Sequence, residues 1–306
     1  MLSSAGSPAR PRASESKVMG PLVDPFLQNE FMLRALLAGV LVSIACAVVG
    51  TFVVLRGLAF IGDALAHGVL PGIAGALLLG LPGIVGATVG ALAMIGGVSL
   101  ITRRSHLSSD TAIGLLFVAM LALGVVMVSG SSSFAGDLVG ILFGQILGTS
   151  AESLAVQAVA TLVVASVAFV CARPFLLLSF DPEQADVAGF PSRRYHAVML
   201  VLIALTVIVS FQTVGTLLVF GMLLAPAGAA ALVAHRVPAM MAIGALIGSA
   251  SSYVGLLLSY HFDVAAGATM VLVASGAFFV VLAATNLRDR LTATSRVPDA
   301  PVTDAT

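Results

Sequence analysis

Six long stretches of the sequence contain no Asp, Glu, Lys, Arg or His: Ala35–Leu55, Thr111–Gly136, Ser153–Ala172, Ala197–Ala234, Val237–Tyr260 and Val264–Leu287. Each reaches the roughly 20 residues that carry a helix across a bilayer, and Ala197–Ala234 is long enough for two. The runs hold no credible strand pattern. Charged residues make up 9% of the chain, where a soluble domain carries about 25%. That is too little polar material to cover a water-facing surface. The expected fold class is therefore all-α, a polytopic helical membrane protein.

The segments expected to cross are Phe31–Leu55, Asp63–Leu79, Pro82–Thr102, Thr111–Ser129, Glu152–Ala172, His196–Phe211, Gly215–Ala234, Val237–Tyr260 and Val264–Thr285. Arginines at Arg103, Arg104, Arg173, Arg193, Arg194, Arg236, Arg288 and Arg290 mark loops that should face the cytoplasm. They alternate with nearly charge-free loops. Nine full spans would place the N-terminal tail outside; eight, with the segment around Asp63–Leu79 broken or re-entrant, would place it inside. Both counts stand at this point. The apolar, Gly-rich stretch Phe134–Gly148 is too short for a span and reads as a helix dipping into the outer leaflet.

Three regions follow: a disordered polar tail over residues 1–28, a membrane domain over 29–290, and a second polar tail over 291–306. Within the membrane domain the longest inter-span connection is 173–196, "RPFLLLSFDPEQADVAGFPSRRYH". Asp181 before Pro182 suits a helix start, and Gly189 with Pro191 suits its end. A two-turn helix on the cytoplasmic face is expected there. The net charge is zero, so the charge balance gives no footprint for nucleic acid, and none is expected as a partner. Cys46 and Cys171 lie in apolar runs and read as packing residues.

Several chemistries are missing. Lys17 is the only lysine, so no phosphate-binding loop of the Gly-x4-Gly-Lys-Ser/Thr type is possible. This polypeptide cannot be an ATPase. No His-Glu-x-x-His occurs, and the serines of "GSSSFAG" at Gly130–Gly136 have neither a Gly-x-Ser-x-Gly frame nor an evident base.

Against that background, "IGDALAHGVLPG" at Ile61–Gly72 is unusual. Asp63 and His67 are four apart and share one helix face. An ionised Asp near the bilayer centre costs about 2.5 to 3.5 kcal/mol on insertion scales, so a partner, a cation or a wet cavity must offset it. A carboxylate oxygen with an imidazole nitrogen suits Zn²⁺ or Mn²⁺. Gly62, Gly68, Pro71 and Gly72 point to a kinked or interrupted helix whose carbonyls could add oxygen ligands. The alternative is structural: an Asp–His hydrogen bond, or a pair between Asp63 and Arg56. Two donors do not complete a zinc site; two copies about an axis would supply four. His261 and Asp263, in "SYHFDVAAG", read mainly as outer-loop residues with a second role as an outer mouth for an ion.

Taken in order, "GTFVVLRGLAFIGDALAHGVLPGIA" at Gly50–Ala74, "SSDTAIGLLF" at Ser108–Phe117, "LFGQILG" at Leu142–Gly148, "SFDPEQADVAGF" at Ser179–Phe190, "TVGTLLVFGMLLAPAGAAALVA" at Thr213–Ala234 and "LSYHFDVAAGA" at Leu258–Ala268 resemble the ABC-3 family. Its members are permease subunits of ABC importers for zinc, manganese or iron(II). The resemblance covers Phe31 to Thr285. It implies a type II-like importer permease fold in the plasma (inner) membrane of a prokaryote. The partners it implies are a second permease copy, a cytoplasmic ABC ATPase dimer that uses the ATP, and an extracytoplasmic metal-binding protein. It also implies that Asp63 and His67 line the ion pathway and that the helix carrying Asp181, Glu183, Asp186 and Gly189 docks in the ATPase. Zn²⁺ or Mn²⁺ would be cargo, with no resident cofactor. Ala66 and Gln145 stand where the family often has Ser and Asp or Asn. The rivals are an ion-coupled secondary transporter, which would want more intramembrane acids, and an intramembrane hydrolase, for which no nucleophile is evident.

Overall fold

The computed structural model describes residues 20–129 and 144–294. Among these residues the chain is helical nearly throughout and has no strand. Thirteen α-helices are labelled here: α1 Gly20–Gln28, α2 Glu30–Leu55, α3 Ala59–Gly68, α4 Leu70–Leu78, α5 Gly83–Arg104, α6 Ser109–Ser129, α7 Ala151–Val170, α8 Ala172–Phe180, α9 Pro182–Val187, α10 Ser192–Val214, α11 Thr216–Val233, α12 Val237–Phe262 and α13 Ala266–Thr294. A 3-10 turn, Ile146–Gly148, precedes α7.

Seven apolar units are long enough to cross a membrane, and the apolar cores of α6 (Thr111–Met127) and α11 (Val219–Val233) are shorter. The pair α3–α4 acts as one of the seven, Ala59–Leu78. Its break falls at Val69, two residues beyond His67. Pro71 explains it, because a proline has no N–H to offer the His67 carbonyl four residues back. The break does not turn the chain around. Gly68 lies against Gly90 and Gly72 against Gly86, so α3–α4 runs antiparallel to α5 along its length. This packing agrees with a full crossing for α3–α4 rather than a re-entrant one. The end of α2 and the start of α10 meet on one side, where Arg56 reaches His196; Gly144 and Gly215 meet elsewhere, at the end of α10.

Small residues set the spacing of the bundle, as expected where lipid is as apolar as the side chains. On α2, Gly39 and Ser43 face Ser252 and Gly248 of α12, while Gly50 lies on the backbone of Leu223 in α11. Polar side chains then cross-link the seams. Ser43 Oγ is 3.0 Å from Ser252 Oγ. The buried Gln157 of α7 donates to the Ala38 carbonyl of α2 (3.3 Å) and accepts from Thr213 of α10 (3.0 Å). Such intramembrane bonds contribute about 0.6 kcal/mol each on average, so they fix register more than they supply stability.

The structure differs from the sequence reading at both tails. The last nine residues of the expected N-terminal tail form α1, because Phe26 stacks on Tyr253 of α12 at 5.1 Å and is buried there. Helix α13 continues to Thr294, beyond the boundary expected at residue 290. Of the dipping helix expected over Phe134–Gly148, residues 134–143 lie outside the described residues; the remainder is the 3-10 turn. Gly144 there has φ +74°, and a Cβ on it would lie 2.5 Å from the Gly215 nitrogen, so only glycine fits.

Candidate functional site

Asp63 and His67 sit on α3 as the fifth and ninth residues of the Ala59–Leu78 crossing. At 1.5 Å per residue they lie about 6 and 12 Å along the axis from Ala59. The His67 Nε2 is 3.5 Å from Asp63 Oδ1, and the side chains are 13% and 30% exposed, respectively. At that separation the two touch without a strong hydrogen bond. His67 Nδ1 is buried and has no hydrogen-bond partner among the described residues. A buried, unpaired ring nitrogen is costly and uncommon. The imidazole is steadied instead by the edge of Phe117 on α6, with ring centroids 5.3 Å apart. Gly62 and Gly68 let α3 sit close to Leu223 and Met94 on either side.

The competing Asp63–Arg56 pair is not formed. The Arg56 guanidinium turns to His196 Nδ1 at 3.0 Å and to the Met199 sulfur at 3.7 Å. Burial lowers the Arg56 pKa from its ordinary value, which is high enough that the group keeps its charge. His196 is half-buried near the start of α10. Among the described residues Asp63 is thus left with His67. Among the described residues no group of three or more His, Cys, Asp or Glu gathers where it could hold a metal. One chain therefore brings two donors to this point. A groove of about 660 Å³ between α5, α7 and α10, lined by Ile84, Leu92, Val159 and Ile208 among others, carries no ionisable side chain and cannot bind an ion.

The second expected site forms as the short helix α9. Asp181 is its N-cap, with Oδ1 accepting from the Glu183 and Gln184 amides at 2.9 and 3.1 Å. Gly189 ends it at φ +84°. Its amide donates to the Asp186 carbonyl, and the Phe190 amide donates to Ala185, a Schellman closure. Glu183 points to solvent. Asp186 turns back to α10, accepting from the Ser192 amide (2.6 Å) and hydroxyl (2.8 Å). These bonds, the amide first, hold its carboxyl below the usual carboxylate range. Two apolar side chains that the sequence reading passed over flank this helix, Phe180 at 78% and Val187 at 89% exposure. Exposed apolar residues beside a polar turn are what a protein partner would cover.

His261 and Asp263 are not brought to either place. Both are exposed at the far end of α12, where His261 Nδ1 lies 2.9 Å from the Leu257 carbonyl and Asp263 closes the helix at φ 54°.

Comparison with known proteins accounts for this architecture. The manganese transport system membrane protein MntC of Halalkalibacterium halodurans is 38% identical over 255 residues, 83% of this chain and 87% of that protein. A probable iron transport system membrane protein of Haemophilus influenzae is also 38% identical, over 88% of this chain and 98% of its own length. Among solved structures, PsaBC from Streptococcus pneumoniae in complex with Fab matches with a TM-score of 0.78 and 33% identity, over 86% of this chain and 95% of that one. An inward-facing putative metal-chelate type ABC transporter shares the fold at 16% identity, with a TM-score of 0.69 over 82% of this chain and 85% of that one. The family model of the ABC 3 transport family matches residues 28–285. This chain belongs to that family, as the membrane-spanning permease subunit of an ABC transporter whose ATPase is a separate chain.

Proposed function

We propose that the chain imports a divalent transition-metal cation, and that Asp63 and His67 hold the ion in transit. The observation that carries this is the pairing on α3 of a half-buried carboxylate with an imidazole whose buried Nδ1 has no partner among the described residues. One hard oxygen and one borderline nitrogen suit Mn²⁺, Fe²⁺ or Zn²⁺ and suit Ca²⁺ poorly. The names of the relatives, manganese and iron transport proteins, favour the first two.

With two donors per chain, the site is completed by a second copy, giving two carboxylates and two imidazoles around one ion. The dimer sits in a prokaryotic plasma membrane, with α9 on the cytoplasmic side against an ATPase dimer. Phe180 and Val187 supply the apolar contact there, with Glu183 beside them. Asp181, Asp186 and Gly189 hold that helix in shape. An extracytoplasmic binding protein delivers the ion near His261 and Asp263, where exposed side chains at the outer end of α12 give it a first polar contact.

Manganese uptake into proteoliposomes holding the permease, its ATPase and its binding protein tests the reading. Asp63→Ala and His67→Ala should each reduce uptake at least tenfold while the complex still assembles. Wild-type uptake by both variants would remove the pathway assignment. Competition by zinc and iron(II) in the same assay ranks the cargo.

A further inference from the structure

Arg56 occupies a junction. It caps the C-terminus of α2, its amide still bonded to the Phe52 carbonyl, and α3 begins three residues later. Gly57 between them has φ +63°, and its amide and that of Leu58 donate back to the Val54 and Val53 carbonyls, so a defined, uncrowded turn carries α2 into α3. From this junction the guanidinium reaches 140 residues along the chain to His196. Arginine can only donate, so His196 Nδ1 is the acceptor and the imidazole proton sits on Nε2. His196 lies in the first turn of α10, four residues after Ser192, which Asp186 ties to α9.

An uninterrupted series of contacts therefore joins α9 to α3: Asp186 to Ser192, one helical turn to His196, a hydrogen bond to Arg56, and the Gly57 turn into the helix of Asp63 and His67. Among the described residues Arg56 has no carboxylate partner, and its side-chain acceptors are a neutral nitrogen and a thioether. A carboxylate in that place would make a bidentate, charge-assisted clamp. The neutral acceptor makes a directed link that can yield within a transport cycle.

We propose that Arg56 and His196 are positioning residues, whose hydrogen bond transmits displacement of α9 to α3 and so couples ATP use to the arrangement of Asp63 and His67. This rests on the reading of Asp63 and His67 as the transit site and of α9 as the ATPase dock.

The test uses the assembled complex in proteoliposomes and reads manganese moved per ATP hydrolysed. A bond to a charged group is worth about 1.5 kcal/mol at the low end, or about tenfold. Arg56→Gln and His196→Phe should each lower the ratio about tenfold with hydrolysis retained. His196→Gln, whose carbonyl can accept from Arg56, should restore most of it. The double variant Arg56→Gln/His196→Phe should be no worse than the weaker single, because both remove the same bond. A purely structural bond would change the amount of assembled complex and leave the ratio unchanged. An unchanged ratio, or a double variant near the product of the singles, would overturn the proposal. So would loss of both single variants from the membrane fraction, which would make the bond a folding requirement. Asp63→Ala is measured alongside. Normal uptake by that variant would remove the transit site, while the ratio in His196→Phe would still report on the link.

Discussion

A close backbone approach lies near the candidate site, and it yields a quantitative contrast between two glycines of the α3–α4 and α5 layer. A Cβ placed on Gly72 would lie 2.0 Å from the Gly86 carbonyl oxygen and 2.9 Å from the Gly90 nitrogen, all backbone atoms. The reciprocal substitution at Gly86 would lie 2.2 Å from the Gly72 oxygen. Contact at about 3.4 Å or more is ordinary, so α4 and α5 must separate by more than 1 Å or tilt. Overpacking of this kind costs about 3 kcal/mol, against a gain of about 1 kcal/mol from replacing a helical glycine by alanine. Gly72→Ala should therefore lose about 2 kcal/mol net, a fall in apparent Tm of about 5 °C for a chain of this size. Gly96, on the same helix α5, has nothing within 4 Å of its added Cβ. Gly96→Ala should be neutral or raise Tm by about 2 °C. Thermal unfolding in detergent, followed by size-exclusion peak height of a fluorescent fusion, measures both. A Gly72→Ala protein as stable as wild type, or a Gly96→Ala protein that falls as far, would refute helix contact as the reason for these glycines.

Two more expectations concern the α9 turn. Val187→Asp should weaken co-purification of the ATPase by tenfold or more without altering the permease's own Tm, and full co-purification would rule Val187 out of the docking surface. For Asp186, hydrogen bonding from Ser192 depresses the carboxyl pKa. A depressed folded-state pKa means stabilisation that is complete above the ordinary carboxylate range of about 3.9 and is lost as pH falls through the folded value. Hydrogen-exchange protection of the Ser192 amide, corrected for intrinsic rate, should hold from pH 7 to about 4 and fall below that. In Asp186→Asn the protection should be low throughout, and an unchanged variant would show that the tether does not hold the turn.

Much of this was legible because lipid simplifies the code. A long apolar run in lipid is satisfied as a helix, and the nine segments read from the sequence all correspond to helical units. The Asp181 cap and the Gly189 closure were readable for the same local reason: both act within one turn of their own residue. The Asp63–His67 spacing shows a shared face without any knowledge of neighbours. What escaped is non-local. The Arg56–His196 bond escaped because nothing in either segment records a partner 140 residues away. The exposure of Phe180 and Val187 escaped because the sequence does not show which side of a short loop helix its apolar residues present. Helix α1 escaped because the aromatic partner of its Phe26, Tyr253, lies on α12.

The poverty of the Asp63–His67 pair bears on how an ion could leave it. A closed four-ligand site binds zinc with about 14 kcal/mol, or about 5 × 10⁻¹¹ M. Even at a diffusion-limited association of about 10⁹ M⁻¹s⁻¹, the ion would then leave at about 0.05 s⁻¹, slower than the 1 to 10³ s⁻¹ typical of turnover. A single chain with a full coordination shell at this depth would be a trap. Two donors per chain would avoid that if, as proposed, two copies present their α3 faces to one ion, because the shell would then be complete only while they do. Parting those faces by a few ångströms halves the ligand count. On the proposed two-copy site, a small rotation of α3 ahead of the Val69 break would convert a holding geometry into a releasing one. The requirement for a partner copy and the requirement for release are, on this argument, one requirement.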